Sequence, residues 1–476
     1  MVRITRVLLF MTFFSLLSSH LSVASAAHWQ KTLTKKLEQL ENEQGIEASV
    51  FAKTTNGEEV VYSHKEDRTL IPASNMKIIT TAAALNTLGS QFTFKTEIYH
   101  TGTIQNGALN GDLYVKGYGN PLFVSERLWY LINELTREGF TKITGDLVLD
   151  NSYFDEEDLI ASRIETGTER AYNAPLSALS FNFNVIAVYV RPGKLGQKPK
   201  VIIDPDNNFI DIRNKAVTGK QDTLVVSRIH ESGKNIIEVA GSYPEQVKER
   251  RFYRNITNPS LFYGAVFNKF LKDRGIHLNG KIKKGVTPSK AQLLYTHNSQ
   301  VFREIVLALN QFSNNFIAEQ IVKTMGAEKK GLPGTSEKGV SVIEDFLVNK
   351  IGFEKSSFNI VNGSGFSRDN RFSAKQFVEI LNQTSKEFDL GPEFSVSLGV
   401  PSDNGTLGRF KNTPLYKRLR AKTGSINGVL ALSGFVLSDN KKTIVFSILL
   451  NSKNQEDAHL QETLDEILLH LSKSST

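Results

Sequence analysis

The first residues of the chain that could perform chemistry are Ser74 and Lys77, in the segment Ser74-Asn75-Met76-Lys77. Residues i and i+3 share one face of a helix, so the Ser74 hydroxyl and the Lys77 amine can meet if this segment is helical. A serine hydroxyl becomes an effective nucleophile when a neighbouring base takes its proton, and a lysine is such a base where burial or nearby cations lower its pKa. The pair alone is weak evidence, because a helix-capping serine beside a solvated lysine has the same spacing.

Two further short motifs follow along the chain. Ser313-Asn314-Asn315 lies in a polar link between two apolar-rich segments, where its alternative role is helix capping. Lys422-Thr423-Gly424 leads into a β-type run, where Gly424 leaves room for a substrate backbone at the strand edge and the alternative is an ordinary strand start. The ordered set S-x-x-K, S-x-N and K-T-G is the combination found in penicillin-binding proteins and class A β-lactamases. The three motifs together therefore predict a serine nucleophile activated by lysine.

The segments around Ser74 predict a helix, a hairpin and a second helix. Apolar residues at helical spacing begin the first helix, at Trp29, Leu33, Leu37 and Leu40. Asn56-Gly57 is a two-residue turn between the predicted strands Ala48–Thr54 and Glu58–Tyr62. The run Ser74–Leu88, rich in Ala, Ile and Leu, predicts a helix between Pro72 and Gly89.

Residues 91–289 have the texture of one or two mostly β modules, with short apolar runs between Gly, Pro, Asn and Asp turns. One helix, Leu261–Leu271, is predicted near the end of this region. The predicted strands are Phe94–Tyr99, Leu113–Lys116, Asp146–Leu149, Val185–Val190, Lys200–Ile203, Thr223–Val226 and Ile236–Val239.

The C-terminal part returns to helical and then mixed patterning. Val301–Asn310 and Phe316–Met325 are predicted helices, and Val429–Leu437 and Thr443–Leu450 are predicted strands. A last helix carries its apolar face at Leu460, Leu464, Ile467, Leu468 and Leu471. The outline is a multi-domain α/β fold in which an α/β sandwich, built from both chain ends, is split by a long β-rich insertion.

Length and composition exclude several classes of protein. A chain of 476 residues predicts two to four domains, and 40% hydrophobic with 22% charged residues is ordinary for a folded protein. The absence of cysteine excludes disulfide scaffolds, thiol catalysis and cysteine-ligated zinc. The nine histidines are scattered without an HExxH pattern, which disfavours a zinc hydrolase. We expect no metal and no organic cofactor.

The N-terminal residues predict export. Arg3 and Arg6 precede the apolar run Val7–Leu17, which is too short to span a bilayer, and Ala24-Ser25-Ala26 supplies the small residues of a cleavage site. We expect residues 1–26 to be a signal peptide removed before Ala27, the alternative being an uncleaved anchor. The mature chain then lies in the periplasm or the extracellular cell-wall space, peripheral to the membrane at most. Loss of two arginines lowers the net charge from +8 to +6.

The sequence resembles the class C low-molecular-mass penicillin-binding proteins, the D-alanyl-D-alanine carboxypeptidase/endopeptidases of the S13 type. The likeness extends over nearly the whole mature chain. Besides the three motifs, it includes Gly117–Phe123, Tyr172–Asn184, Asn362–Asn370, Asp403–Phe410 and Ala421–Gly434.

The resemblance implies three nested domains. The transpeptidase-like catalytic domain would comprise residues 27–92 and 290–476. An inserted domain II would comprise residues 93–182 and 263–289, and a β-rich domain III would comprise residues 183–262.

The resemblance also implies residue roles. Ser74 would be the acylated nucleophile, Lys77 its general base and Ser313 a proton relay to the leaving amine. Asn315 would hold the substrate amide. The remaining implied substrate-binding groups are Lys422 and Thr423 for the terminal carboxylate, Gly424 beside them, the backbone N–H groups of Ser74 and Ser425 for the oxyanion, and Arg368, Asn427, Asp150 and Phe154 for the stem-peptide side chain.

The implied reaction is hydrolysis of D-Ala-D-Ala stem peptides and of peptidoglycan cross-links through an acyl-enzyme, with β-lactams as covalent inhibitors. The chain departs from the family pattern at Asn314 and Asn362, where Asp is frequent, and at Phe366, where Leu is frequent. None of these three residues is an implied nucleophile, base or carboxylate binder. The position of Asn427 affects fine substrate preference.

Three alternatives are weighed against this function. A serine β-lactamase shares the nucleophile but lacks such an insertion in class A and has Tyr-x-Asn in class C. A non-catalytic wall-binding or sensor protein would not need Ser74, Lys77, Ser313 and Lys422 together. An α/β-hydrolase needs a G-x-S-x-G elbow, which the chain lacks. The lysines are dispersed, so we expect no nucleic-acid partner but weak electrostatic association with an anionic envelope; the sequence specifies no oligomeric state.

Overall fold

The computed structural model describes residues 28–57, 59–160, 162–165, 167–231, 234–453 and 458–474. The predicted signal peptide lies outside these residues, as does Glu58 of the predicted hairpin. In chain order, the α-helices are α1 (28–44), α2 (Met76–Leu88), α3 (Ser125–Thr136), α4 (Pro259–Asp273), α5 (Phe302–Phe312), α6 (Asn315–Lys330), α7 (Ser336–Phe346), α8 (Ala374–Lys386), α9 (Gly391–Ser397) and α10 (Ala458–Lys473).

The strands of the first and last parts of the chain form one group. They are β1 (Ile46–Thr54), β2 (Val60–His64), β3 (Thr69–Leu70), β21 (Phe372–Ser373), β22 (Leu419–Ile426), β23 (Val429–Leu437) and β24 (Thr443–Ser452).

The central part of the chain contains the other strands. They are β4 (Lys95–His100), β5 (Thr103–Gln105), β6 (Ala108–Asn110), β7 (Leu113–Gly117), β8 (Lys142–Ile143), β9 (Leu147–Asp150), β10 (Val185–Arg191), β11 (Lys200–Asp204), β12 (Ile210–Asn214), β13 (Val217–Gly219), β14 (Val225–Glu231), β15 (Lys234–Ala240), β16 (Ser242–Pro244), β17 (Arg250–Asn255), β18 (His277–Leu278), β19 (Ile282–Lys284) and β20 (Gln292–Asn298). Short single turns of helix lie at Ala73–Asn75, Ala171–Asn173, Asn182–Asn184, Leu347–Ile351, Lys355–Ser357 and Gly408–Phe410.

The chain forms two compact units. The first contains the described residues up to Asn86, together with Val306–Ser313 and those from Glu344 onward. The second contains Thr87–Ile305 and Asn314–Ile343, and so groups the segments predicted as domains II and III. It also takes residues 87–92, 290–305 and 314–343, which the sequence assigned to the catalytic domain. The three-domain nesting stays a prediction.

The first unit is built on a five-stranded antiparallel sheet in the order β2-β1-β24-β23-β22. Because side chains alternate along a strand, Ile444, Phe446, Ile448 and Leu450 of β24 share one face, where they pack in one core with α1 and α10. The intervening residues of β24 face the opposite side, and α8 packs against β24 and β1. Helices cover both faces of the sheet, which confirms the predicted α/β sandwich.

The second unit is rich in short strands, as the alternation of apolar runs and turns predicts. Its largest sheet has the order β19-β9-β7-β4-β20, and smaller sheets contain β10–β17. One buried apolar cluster extends from Leu113 and Leu149 to Ile186 and Tyr243, so the predicted domains II and III share a core in this unit.

Most predicted elements are confirmed, and the helix count of the central region is wrong. The predicted single helix there corresponds to α4, but α3 is also helical, with Leu128, Leu131, Ile132 and Leu135 buried. These residues follow the i, i+3, i+4, i+7 spacing of a helix. The segment also contains Trp, Tyr and Ile, which are common in strands and lie here among β-type segments, so the helical spacing was not recognised. Helices α7, α8 and α9 were not predicted either.

The core of the first unit provides a test of this packing. Leu464→Ala in α10 removes a fully buried side chain and should lower the free energy of unfolding by about 2–5 kcal/mol. The control His459→Ala, at an exposed position of the same helix, should change it by less than about 0.5 kcal/mol. Urea unfolding followed by circular dichroism measures both, and equal losses would contradict the assigned core.

Candidate active site

Ser74 lies on a single 3-10 turn, Ala73–Asn75, that leads directly into α2. The N–H of Asn75 donates to the carbonyl of Pro72 at 3.1 Å, which closes the turn. Ala73 has φ of +46°, a left-handed conformation that is strained for a residue with a Cβ. The surrounding structure therefore has to hold the turn in place, and Ser74 itself stays half-buried at the start of the helix.

Lys77 lies one turn further along and meets Ser74, as the i, i+3 spacing predicts. Its Nζ is 2.9 Å from Ser74 Oγ and 2.6 Å from the carbonyl oxygen of Ser364. The Lys77 side chain is fully buried. The structure thus brings a lysine amine to the serine hydroxyl in a water-poor environment, the arrangement that a serine–lysine nucleophile pair needs.

Two glycines make room for this turn. Gly365 has φ of +78°, and a Cβ there would overlap the carbonyl group of Ala73. A Cβ on Gly424 would lie 2.6 Å from the Pro72 carbonyl oxygen and 3.1 Å from the Ser74 nitrogen. Gly424 was predicted to leave room for a substrate backbone; in the structure it also lets the nucleophile turn pack against β22.

A buried polar network lies under the turn. The side-chain amide of Asn75 donates to Ser433 Oγ at 2.6 Å, and Ser433 Oγ is 2.8 Å from Ser447 Oγ. All three residues are fully buried. Because buried polar groups hold their geometry through hydrogen bonds, this network links Asn75, the residue after Ser74, to β23 and β24.

Lys422 and Ser313 form a second lysine–serine pair in the same unit. Lys422 Nζ is 2.7 Å from Ser313 Oγ and 2.7 Å from the carbonyl oxygen of Thr423. Ser313 follows the last residue of α5 and has φ of +54°. Burial, together with the positive charge of Lys77, holds the pKa of Lys422 well below its usual value.

The edge of β22 presents backbone donors. Ala421 donates its N–H to the Gly399 carbonyl at 2.9 Å, on the side away from β23. Since N–H groups alternate along an antiparallel strand without a bulge, those of Thr423 and Ser425 point to this same edge. The Ser74 nitrogen lies beside Gly424, which precedes Ser425 in β22. The N–H groups of Ser74 and Ser425, the predicted oxyanion donors, therefore lie near this part of the strand edge.

Arg368 and Asn427 are also brought together in the first unit. A guanidinium nitrogen of Arg368 donates to the backbone carbonyl of Asn427 at 2.7 Å. Asn427 is exposed in the turn between β22 and β23, and Arg368 is half-buried. These two predicted substrate-binding residues therefore lie at the end of the strand that carries Lys422 and Thr423.

Asn315 belongs to the second unit, which resumes at Asn314, and lies two residues after Ser313 of the first unit. It is the first residue of α6, and its side-chain amide donates to the Tyr172 carbonyl at 3.2 Å. Its neighbour Asn314 caps α6 by accepting from the N–H of Ile317. Helix capping, weighed as an alternative for the motif, is what Asn314 does.

Asp150 and Phe154 lie in the second unit and are both buried. The Asp150 carboxylate accepts from Ser152 and from the N–H of Thr287 at 2.8 Å. Burial alone would raise the pKa of this carboxyl, but the hydrogen bonds from Ser152 and Thr287 outweigh it and lower the pKa. Phe154 lines a cavity of about 550 Å³ within this unit. Their contact with substrate stays a prediction.

Sequence reasoning missed the groups that support the turn: the Ser364 carbonyl, Gly365, and the pair Ser433 and Ser447. A signal for the two serines exists, because each interrupts an otherwise apolar strand that is buried on both faces. In the described residues, no group of three or more His, Asp or Glu side chains is arranged to hold a metal ion.

Gly365 tests whether the turn must be held tightly. Gly365→Ala should slow β-lactam acylation of Ser74 at least tenfold, because the new Cβ displaces Ala73 and with it the nucleophile. Gly352→Ala is the matched control, since Gly352 also has positive φ, +89°, but open space around it. Gly352→Ala should lower the stability of the protein but leave the acylation rate unchanged. Acylation rates measured with a fluorescent penicillin compare the two variants, and equal rates would contradict the packing argument.

Comparison with known proteins identifies the family. The model of the D-Ala-D-Ala carboxypeptidase 3 (S13) family matches residues 29–471. A D-alanyl-D-alanine carboxypeptidase of Actinomadura sp. (strain R39) is 32% identical over 427 residues, covering 86% of this chain and 78% of the relative. The carboxypeptidase DacB of Haemophilus influenzae is 27% identical over 436 residues, covering 89% of this chain and 88% of the relative.

Solved structures agree with the sequence relatives. The crystal structure of penicillin binding protein 4 from Haemophilus influenzae superposes with a TM-score of 0.79 at 25% identity, covering 92% of this chain and 99% of that one. A second crystal structure of that protein, in complex with a β-lactam, superposes with a TM-score of 0.74 at 25% identity, covering 93% and 99%. The serine–lysine site and the match over residues 29–471 together show that the chain belongs to the D-Ala-D-Ala carboxypeptidase family S13.

Proposed function

We propose that the chain is a serine D-Ala-D-Ala carboxypeptidase and DD-endopeptidase that acts on peptidoglycan through an acyl-enzyme at Ser74. The observation that carries this proposal is the 2.9 Å hydrogen bond between Lys77 Nζ and Ser74 Oγ. It is supported by the second pair, Lys422 and Ser313, in the same unit, and by membership of family S13.

Acylation begins when Ser74 Oγ attacks the carbonyl carbon of the penultimate D-Ala. The O–H bond breaks as the new C–O bond forms, and neutral Lys77 takes the proton. Lys77 and Lys422 are both fully buried, and Coulomb repulsion between like charges is mutual. The state in which both amines are protonated is therefore costly, so the site favours one neutral amine, and the proposed mechanism uses Lys77 in that form.

The N–H groups of Ser74 and Ser425 would stabilise the negative oxygen of the tetrahedral intermediate. Donors fixed before the reaction are worth about 3 kcal/mol each, because they need no rearrangement as charge develops. The register of β22 and the close approach at Gly424 favour this assignment. The two glycines next to the turn act by keeping the Ser74 donor in place.

The substrate carboxylate would bind Lys422 and Thr423. Collapse of the intermediate breaks the C–N bond, and the proton held by Lys77 passes through Ser313 to the departing D-Ala amine, which leaves Lys77 neutral. In deacylation, Lys77 takes a proton from the water that attacks the ester and returns it to Ser74 Oγ as the ester C–O bond breaks. A D-Ala–diaminopimelate cross-link supplies the same acyl group with another leaving amine, so one site serves both activities.

The other substrate groups are assigned in the same way. Asn315 would hold the amide that precedes the scissile bond, and Arg368 with Asn427 would grip the stem-peptide side chain. Asp150 and Phe154 are buried, so we assign them an indirect part in fixing the 151–154 loop. No residue in these steps acts through a metal or an organic cofactor.

We also propose that the protein works outside the cytoplasmic membrane, where its substrate lies, after cleavage before Ala27. Within the described residues, no helix is both long enough and apolar enough to cross a membrane. The net charge of +8 for the full chain favours weak association with anionic envelope polymers.

Mass spectrometry after brief exposure to penicillin tests the nucleophile. We expect one adduct, on the peptide that contains Ser74, that persists for hours, because a peptidase of this type deacylates β-lactams slowly. Ser74→Ala should form no adduct, whereas the control Ser63→Ala, at an exposed position, should form it normally. An adduct that clears within seconds would support a β-lactamase instead, and a covalent adduct on Ser74→Ala would refute the proposal.

The low pKa of Lys422 predicts a pH dependence of carboxylate recognition. Lys422 is charged below its folded-state pKa and neutral above it. Because this pKa lies well below 10.5, the ordinary value, Lys422 loses its charge at a lower pH than an exposed lysine does. We expect kcat/KM for penicillin acylation to fall as the pH rises through the folded-state pKa of Lys422. Penicillin methyl ester, which lacks the carboxylate, should not show this fall. Identical alkaline limbs for both compounds would contradict the role of Lys422.

A further inference from the structure

The side chain of Asn315 depends on a carbonyl from a distant segment. Its amide donates to the carbonyl oxygen of Tyr172, which lies 143 residues earlier in the chain. Asn315 is half-buried and is the first residue of α6. The position of the Tyr172 carbonyl therefore contributes to the orientation of the Asn315 amide.

Tyr172 lies in the single turn Ala171–Asn173, and 44% of its surface is exposed. Its hydroxyl donates to Glu165 at an exposed position. Buried hydrogen bonds made by other residues also hold this turn.

Asn255, the last residue of β17, is the main anchor of this turn. Its side chain is buried, and Nδ2 lies 2.8 Å from the Thr168 carbonyl oxygen, 3.0 Å from that of Arg170 and 3.1 Å from that of Asn173. The Asn255 N–H also donates to the Glu169 carbonyl at 3.0 Å. One asparagine thus holds carbonyls on both sides of Tyr172.

Two arginines complete the support. Arg228 of β14 donates to Asn255 Oδ1 at 3.2 Å, which leaves the amide nitrogen of Asn255 directed at the three carbonyls. Arg163, nearly fully buried, donates to Asn173 Oδ1 and to the Ala174 carbonyl, each at 3.0 Å. The strands that supply Asn255 and Arg228 belong to residues 183–262, the segment predicted as the innermost domain.

We infer that Asn255 is a positioning residue for the reaction: it fixes the Tyr172 carbonyl, which in turn orients the substrate-binding amide of Asn315. The inference rests on the proposed function, because Asn315 has its role only if the substrate amide binds there. It gives the innermost inserted segment a part in catalysis. All residues of this chain of contacts lie in the second unit.

The test compares two β-lactams that differ in the group Asn315 binds. Benzylpenicillin carries an acylamino side chain, and 6-aminopenicillanic acid has a bare amine in its place. Asn255→Ala should lower the acylation rate constant for benzylpenicillin by about 10- to 100-fold, the usual effect of losing a supporting hydrogen-bond partner. The rate constant for 6-aminopenicillanic acid should change much less, so the ratio of the two rate constants falls.

A matched control separates positioning from general stability. Asn235 is also a fully buried asparagine of the inserted segment, but its amide binds Thr257 at 3.0 Å, away from the Tyr172 turn. Asn235→Ala should lower the melting temperature and leave the ratio unchanged. If Asn255→Ala does not fold, Arg163→Met removes the other support of the turn and should lower the ratio in the same direction.

The double variant of Asn255 and Asn315 distinguishes the possible failures. Asn315→Ala should itself lower the ratio, and adding Asn255→Ala should then have no further effect on it. If Asn315→Ala leaves the ratio unchanged, the proposed role of Asn315 is wrong. If Asn315→Ala lowers it while neither Asn255→Ala nor Arg163→Met does, the positioning inference alone is overturned.

Discussion

The structure of the site depends on the burial of two lysine amines close to two serine hydroxyls. Lys77 and Lys422 are both fully shielded from solvent, and each binds one serine and one backbone carbonyl. Burying an ammonium group is costly unless it is hydrogen-bonded, and two like charges increase the cost. Under the proposed mechanism, the same cost serves the reaction, since it favours a neutral amine that can accept the proton of Ser74. The rest of the first unit keeps these four groups in place.

The residues that support the Ser74 turn depart from the usual preferences for buried strands and for backbone conformation. Ser433 and Ser447 stand in strands whose neighbours are apolar, and Gly365 and Gly424 occupy positions where any side chain would collide with the nucleophile turn. Ala73 adopts a left-handed conformation that costs energy for a non-glycine residue. Each departure reduces stability locally, and the well-packed cores around α10 and β24 offset it. Functional sites are the expected place for such departures.

Sequence alone predicted the parts of the fold that rest on local periodicity. The leucine face of α10, the Asn56-Gly57 hairpin and the helix after Ser74 follow from spacing and turn chemistry. The motifs predicted the contact between Ser74 and Lys77, whereas the contact between Lys422 and Ser313 was not predicted. The Ser364 carbonyl could not be found in this way, because it meets Lys77 across 287 residues and a backbone carbonyl has no residue-type signature. The role of Asp150 came from the family resemblance and not from local pattern, and the sequence did not predict that its carboxylate accepts from Ser152 and Thr287.

The S-x-N motif contains the point at which the chain passes from the first unit to the second. Ser313 and Asn315 are two residues apart, but Ser313 makes its contacts within the first unit and Asn315 within the second. The capping bond from Ile317 to Asn314 fixes the start of α6 between them. Whatever holds the Tyr172 turn in the second unit thus acts on a residue that is joined by two peptide bonds to Ser313, the predicted proton relay. Under the proposed role of Asn315, the buried amide of Asn255 serves substrate binding as well as stability, although it lies far from Ser74 in sequence.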